Sequence, residues 1–65
     1  MKSNYAEQLG KSFKEARLEM KLKQIDVAEK AGINSNYYAK IERGEVNVSL
    51  ELGSKIAKVL KLKLN

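Results

Sequence analysis

The side chains of this sequence offer chemistry for recognition rather than for catalysis. The chain has no cysteine and no histidine, which excludes disulfides, thiolate or imidazole metal ligands and a histidine general base. The paired carboxylates Glu15 and Glu19 are expected on a solvated helix face, without a nucleophile and base beside them. We therefore expect no enzymatic activity, no cofactor and no metal.

The charge of the chain favours an anionic partner. Thirteen lysines and arginines oppose eight acidic residues, which gives a formal net charge of +5 and a pI near 9.6. A basic balance of this kind is typical of proteins that bind nucleic acid. The same excess also keeps small proteins soluble, so composition alone leaves both explanations open.

A pair of helices that could present a surface for binding nucleic acid is predicted for residues 24–44, QIDVAEKAGINSNYYAKIERG. Apolar spacing predicts one helix over residues 24–30 or 24–31 and another over residues 35–42 or 35–43. Gly32 can close the first helix in a left-handed conformation, and Asn34 can cap the second. A tight turn sets two helices at a steep angle, so the second can project and fit the major groove of DNA. Many helical bundles contain the same bare pattern.

Two further helices complete the predicted all-α fold of four or five short helices. The first is expected over residues 4–20, with Asn4 as its N-cap and Glu7 completing a capping box. The last is expected over residues 50–60 and capped by Ser49. The side chains expected to face the core are Leu9, Phe13, Ala16, Arg17, Met20, Leu22, Ile25, Ala28, Ala31, Ile33, Tyr38, Ile41, Leu52, Ile56, Val59 and Leu60.

The length fits one domain, residues 1–65, with a thin core. No apolar run approaches the roughly 20 residues of a membrane span, and the start of the chain lacks the apolar stretch of a signal peptide. Together with the absence of cysteine, this predicts a cytoplasmic protein.

The central segment also carries a more specific set of residues. They are Gln24, Val27-Ala28, Ala31-Gly32-Ile33, Ile41-Glu42-Arg43-Gly44, Ser49-Leu50-Glu51 and Ile56-Ala57-Lys58. In these positions the chain closely resembles the Cro and lambda-type repressor family, also called the XRE family, over about residues 9–64. The resemblance implies a lambda-repressor-like helix-turn-helix domain and a sequence-specific bacterial or phage transcription regulator. Five helices are usual in that family, and here the fifth would only begin at residues 61–65.

The resemblance implies that the third helix reads DNA, with Ser35, Asn36, Ala39 and Lys40 at or beside positions that contact base edges. Their chemistry agrees, because Asn36 can pair with adenine, Lys40 can donate to guanine, and Ala39 can touch a thymine methyl group. A plainer interpretation is that Ser35 and Asn36 only start a helix, where such residues are favoured.

Contacts to the DNA backbone are expected from a second set of residues. The resemblance implies that Gln24, at the N-terminus of the second helix, contacts a phosphate and braces the reading helix. It also places Arg43 near the DNA backbone. Further phosphate contacts are available to Lys23, Tyr37, Asn47 and Ser49, each of which is equally compatible with a solvated surface.

Two charged pairs have structural and functional interpretations. The resemblance implies that Arg17 and Glu42 form a partly buried structural ion pair between the first and third helices. Asp26 and Glu29 lie on the outer face of the second helix, where some relatives contact RNA polymerase. We favour a plain solvated face for these two, since acidic residues near a helix N-terminus are stabilising.

Tyr38 is expected in the core with its hydroxyl reaching water.

The C-terminal end combines Lys55, Lys58, Lys61 and Lys63 with apolar residues in excess of what a four-helix core should absorb. We expect a homodimer on a pseudo-palindromic operator, with a seam formed by Leu60, Leu62 and Leu64. Binding to a membrane surface is the rival explanation of this basic amphipathic end. The rival for the whole chain is a protein-interaction module of the same fold, such as an antitoxin or antirepressor.

Overall fold

The computed structural model of the chain describes residues 4–62, which form four α-helices and no strand. Their bounds are α1 Tyr5–Glu19, α2 Gln24–Ala31, α3 Ser35–Glu42 and α4 Leu50–Val59. The predicted all-α class is confirmed, and each predicted helix is present with ends shifted by at most one residue. Lys61 and Leu62 follow α4 without continuing as a helix, and the rest of the expected fifth helix, residues 63–65, lies outside the described residues.

Side-chain caps explain where the helices begin. Asn4 Oδ1 accepts the N–H of Glu7 at 2.8 Å, and Ser49 Oγ accepts the N–H of Leu52 at 3.1 Å. Asn34 Oδ1 accepts the N–H groups of Asn36 and Tyr37 at 2.7 and 3.2 Å. These bonds satisfy amides that a helix N-terminus leaves unpaired. The three caps expected from the sequence are therefore confirmed.

A left-handed residue follows each of the four described helices. Gly32 closes α2 with φ 73°, and Gly44 follows α3 with φ 75°. Lysines occupy the same conformation after the other two helices, Lys21 with φ 58° and Lys61 with φ 59°. A residue with a Cβ is disfavoured in this region, so both lysines hold positions where glycine is the common choice.

The core forms where α3 packs on α1 and α2, and α2 packs on α4. Its largest fully buried side chains are Tyr38, Phe13, Ile41, Ile56 and Val27. Gly10 lies where α1 crosses α3, and a Cβ there would overlap the backbone carbonyls of Ile41 and Glu42. Glycine at this position lets the two helices approach closely enough to bring their polar side chains together.

Two expectations about the core are wrong. Ile25 is 50% exposed, because the buried face of α2 is centred on Val27, Ala28 and Ala31 and Ile25 points well to one side of it. The hydroxyl of Tyr38 is fully buried instead of reaching water. Leu60 is 3% exposed and lies in the core one turn beyond Ile56, as expected, which leaves it little surface for the dimer seam that was also expected of it.

Candidate nucleic-acid interface

The outer face of α3 carries a stripe of exposed polar side chains. Asn36, Lys40 and Arg43 are exposed at spacings of four and three residues, which places them on one helix face. Ser35 and Ala39 lie half-buried beside this stripe. The opposite face is buried and consists of Tyr38, Ile41 and Glu42. An eight-residue helix is about 12 Å long, a length that suits the width of the major groove of B-DNA.

A bidentate ion pair fixes α3 to α1. Arg17 Nε donates to Glu42 Oε2 at 2.7 Å, and Arg17 Nη2 donates to Glu42 Oε1 at 3.1 Å. A third donor, Arg17 Nη1, reaches the carbonyl oxygen of Leu22 at 2.9 Å and so holds the α1–α2 connection. The two side chains are only 10% and 2% exposed. The structure thus joins the two residues that were expected to pair.

Gln24 shares the same carboxylate. Its Nε2 donates to Glu42 Oε1 at 3.0 Å, which ties the start of α2 to the end of α3. Burial alone would raise the pKa of Glu42, but the hydrogen bonds from Arg17 and Gln24 outweigh it and hold that pKa below its usual value. The bond to Glu42 raises the pKa of Arg17. Glu42 therefore stays ionised at neutral pH and connects three helices.

The hydroxyl of Tyr38 lies beside this cluster. It is buried and makes no hydrogen bond among the described residues. Burial raises the pKa of Tyr38, and the nearby charge of Glu42 adds to the effect. The phenol is consequently neutral, and its hydroxyl is close to the carboxylate without the geometry of a hydrogen bond.

A second bidentate pair lies at the exposed end of α3. Arg43 Nε donates to Glu45 Oε2 at 2.7 Å, and Arg43 Nη2 donates to Glu45 Oε1 at 3.3 Å. Both side chains are about half exposed, at 55% and 50%. The hydrogen bond from Arg43 lowers the pKa of Glu45. Arg43 was expected to contact a phosphate, and its pairing with Glu45 was not predicted.

The other expected backbone contacts lie around α3. Lys23 precedes α2 and is exposed, as are Asn47 and Ser49 in the α3–α4 connection. Tyr37 is 36% exposed on the first turn of α3. Ser49 caps α4. The exposed positions of the other side chains are equally compatible with phosphate contacts and with a plain solvated surface.

The sequence model of a helix-turn-helix family of Cro and lambda-repressor (XRE) type matches residues 13–65, more than half of the chain. The chain belongs to this family. Its members are DNA-binding regulators, and at that general level this helix-turn-helix domain is one as well. No curated protein and no solved structure matches the chain significantly.

Asp26 is half-buried and its Oδ2 accepts the N–H of Lys23 at 2.8 Å, so it has a structural task at the start of α2, while Glu29 is exposed. At the expected dimer seam Leu62 packs partly against the core, and Leu64 lies outside the described residues.

Neither a membrane-spanning helix nor a metal-binding cluster is present among residues 4–62. Over residues 4–62, the helices are too short or too polar to cross a membrane. Within that same part of the chain, acidic side chains do not gather in a group of three or more that could hold a metal ion.

Two residues that shape the site were not predicted: Glu45 pairs with Arg43, and Gly10 allows the close approach of α1 to α3. Gln24 was expected to contact a phosphate and to brace α3, and in the structure it donates to Glu42 at the end of α3. Only Gly10 carried a signal in the sequence, since glycine inside a helical pattern often marks close packing. The contact of Glu45 with Arg43 depends on the turn that the chain makes at Gly44.

Proposed function

We propose that this helix-turn-helix domain binds double-stranded DNA sequence-specifically and controls transcription, with α3 in the major groove. The observation that carries the proposal is the exposed stripe of Asn36, Lys40 and Arg43 on a helix whose other face is buried and anchored through Glu42. A rigid helix with a polar outer face is what major-groove recognition requires. A function of this kind belongs in the cytoplasm, where bacterial and phage DNA is read.

The base-reading residues of the proposal are Asn36 and Lys40, with Ser35 and Ala39 beside them. Asn36 offers the paired donor and acceptor that adenine requires, and Lys40 offers a donor to the acceptors of guanine. The Asn34 cap supports a reading role for Asn36, because the first amides of α3 are already bonded and the Asn36 side chain has no capping task there.

The phosphate-binding residues of the proposal surround this helix. Gln24 and Lys23 stand at the N-terminus of α2, where helix geometry favours an anion. Asn47 and Ser49 lie beyond the other end of α3, Tyr37 lies on α3, and Arg43 directly follows its last residue. Contacts of this kind position the protein without reading sequence, so their loss should weaken binding to all DNA alike.

A homodimer on a two-fold operator follows from the small reading surface. Each correct base contact contributes about 1–3 kcal/mol, which is too little to select one site in a genome through a single short helix. Two copies would read half-sites centred about 10 base pairs apart. Since Leu60 is part of the core, the proposed seam reduces to Leu62 and Leu64.

A contact of Asp26 and Glu29 with RNA polymerase gains no support from the structure, because Asp26 already accepts a hydrogen bond at the start of α2.

A protein-interaction module of the same fold is the second candidate. The observation in its favour is exposed apolar surface: Leu50 is 82% exposed and Tyr5 67% exposed, and both line a shallow pocket of about 190 Å³ between α1 and α4. Salt separates the two candidates. Phosphate contacts release counterions, so DNA affinity should fall steeply between about 50 and 200 mM salt, whereas apolar protein binding should change little.

Selection from a pool of random duplexes tests the proposal. We expect enrichment of a pseudo-palindromic site, and a complex on that site whose mass corresponds to two chains. A protein that enriches no sequence would contradict sequence-specific binding. A single chain bound to an asymmetric site would contradict the dimer and leave DNA binding intact.

A further inference from the structure

We propose that Glu45 is an intramolecular competitor of DNA, which occupies Arg43 in the free protein and lowers the affinity of the domain for DNA of every sequence. The inference rests on the proposed function, because it assigns Arg43 to a phosphate. It adds an acidic residue that sets affinity without touching DNA.

The carboxylate of Glu45 occupies the fork of Arg43 in the way a phosphate would. Two neighbouring donors, Nε and Nη2, reach its two oxygens at 2.7 and 3.3 Å. Bidentate binding by guanidinium is the shared geometry of carboxylate and phosphate recognition. Arg43 therefore has to release Glu45 before the same two donors can serve the DNA backbone.

The fold holds Glu45 in this position. Gly44 adopts φ 75°, and the following N–H, that of Glu45, donates to the carbonyl oxygen of Lys40 at 3.0 Å. Gly44 is itself packed on α1, since a Cβ there would lie 2.7 Å from Cγ of Glu7. The backbone on both sides of the pair is thus fixed, which lowers the entropy lost when the two side chains meet.

Because the Arg43–Glu45 pair is exposed, Arg43 can exchange Glu45 for another anion at little cost to the stability of the fold. Both side chains are about half exposed, and ion pairs of this kind contribute little to folding stability. The charge of Lys40 also lowers the pKa of Glu45, after the larger effect of Arg43. Glu45 therefore stays ionised at neutral pH and can hold Arg43.

The test compares Glu45→Gln with Glu15→Gln on a mixed-sequence duplex of about 30 base pairs, which suffices because phosphate contacts ignore sequence. Glu15 is an exposed acid on α1, so its variant has the same change of net charge. We expect Glu45→Gln to bind roughly two- to fivefold more tightly, the factor that corresponds to an exposed ion pair. We expect Glu15→Gln to bind like the wild type. Equal gains in the two variants would show a net-charge effect only and overturn the proposal.

The double variant Arg43→Ala/Glu45→Gln identifies the mechanism. If Glu45 acts by occupying Arg43, the gain from Glu45→Gln disappears in the Arg43→Ala background. A gain that persists there would mean that Glu45 merely repels DNA, which contradicts the proposal.

Failure of the inference is distinguishable from failure of the proposed function. Tight, salt-dependent binding by the wild type with an unchanged Glu45→Gln variant would refute only the competitor. Absence of DNA binding by every variant would refute both. Circular dichroism of each variant verifies that the helices are retained.

Discussion

Replacing Arg17 by methionine should remove a large part of the stability of this domain. The change deletes three donated hydrogen bonds and leaves the Glu42 carboxylate, which is 2% exposed, with Gln24 as its one remaining donor of those described. Removing one partner of a buried pair costs about 3–5 kcal/mol. We expect about 3 kcal/mol, the lower end, because Gln24 still donates to the carboxylate. A 65-residue domain has only about 3–10 kcal/mol in total.

The pH dependence of the loss identifies its cause. In the wild type the pKa of Glu42 is lowered, so its stabilising contribution is present above the unfolded value and is lost as the pH falls through the folded value. In Arg17→Met, burial remains while the main hydrogen bonds that lower the pKa of Glu42 are gone, so that pKa rises. The carboxyl can then take up a proton, and the deficit against wild type should shrink between about pH 7 and pH 4.

Urea unfolding followed by circular dichroism at these two pH values measures the effect. Lys14→Met is the matched control, since Lys14 is an exposed cation on the same helix, and it should leave the free energy of unfolding nearly unchanged. The double variant Arg17→Met/Glu42→Leu should recover most of the loss by removing the unpaired charge. A loss below about 1 kcal/mol for Arg17→Met, or a deficit that does not change with pH, would refute this account of the ion pair.

Three further substitutions test the packing of α1 and α3 and the turn after α1 by the same unfolding measurement. Gly10→Ala should cost at least about 1–3 kcal/mol, because the new Cβ overlaps backbone carbonyls of α3 that cannot move aside; unchanged stability would show that the helices can separate freely. Tyr38→Phe should raise stability by about 1 kcal/mol by removing an unpartnered buried hydroxyl, whereas a loss would reveal a partner. Lys21→Gly should stabilise by about 0.5–1 kcal/mol through relief of a left-handed lysine, and a loss of stability would contradict that strain.

The positions of the helices could be predicted from the sequence because the residues that begin and end each helix are its neighbours in the chain. Asn4, Asn34 and Ser49 cap in the structure as their types and positions predict, and Gly32 ends α2 as expected. Ile25 was misassigned because a short helix contains too few apolar residues to define the centre of its buried face. The error shows that spacing of three alone does not distinguish the middle of a face from its edge.

The network around Glu42 and the pair of Arg43 with Glu45 were harder to predict. Gln24 and Glu42 are distant in sequence, so their hydrogen bond exists only after α2 and α3 have packed. Glu45 reaches back to Arg43 because Gly44 reverses the chain between them. Leu60 was expected both in the core and at a dimer seam, because the sequence does not show how deeply the end of α4 is buried; in the structure Leu60 lies in the core.

The claim that α3 reads base sequence is tested most directly by comparing the sites that the wild type and Lys40→Ala select from the same random duplex pool. Lys14→Ala, which removes an exposed cation from α1, is the control. We expect wild type and Lys14→Ala to select one site, and Lys40→Ala to lose its preference at a single position in each half-site, with about 1–3 kcal/mol less discrimination there. An identical selected site for all three proteins, or an equal loss of affinity on selected and random DNA, would contradict a reading role for Lys40 on α3.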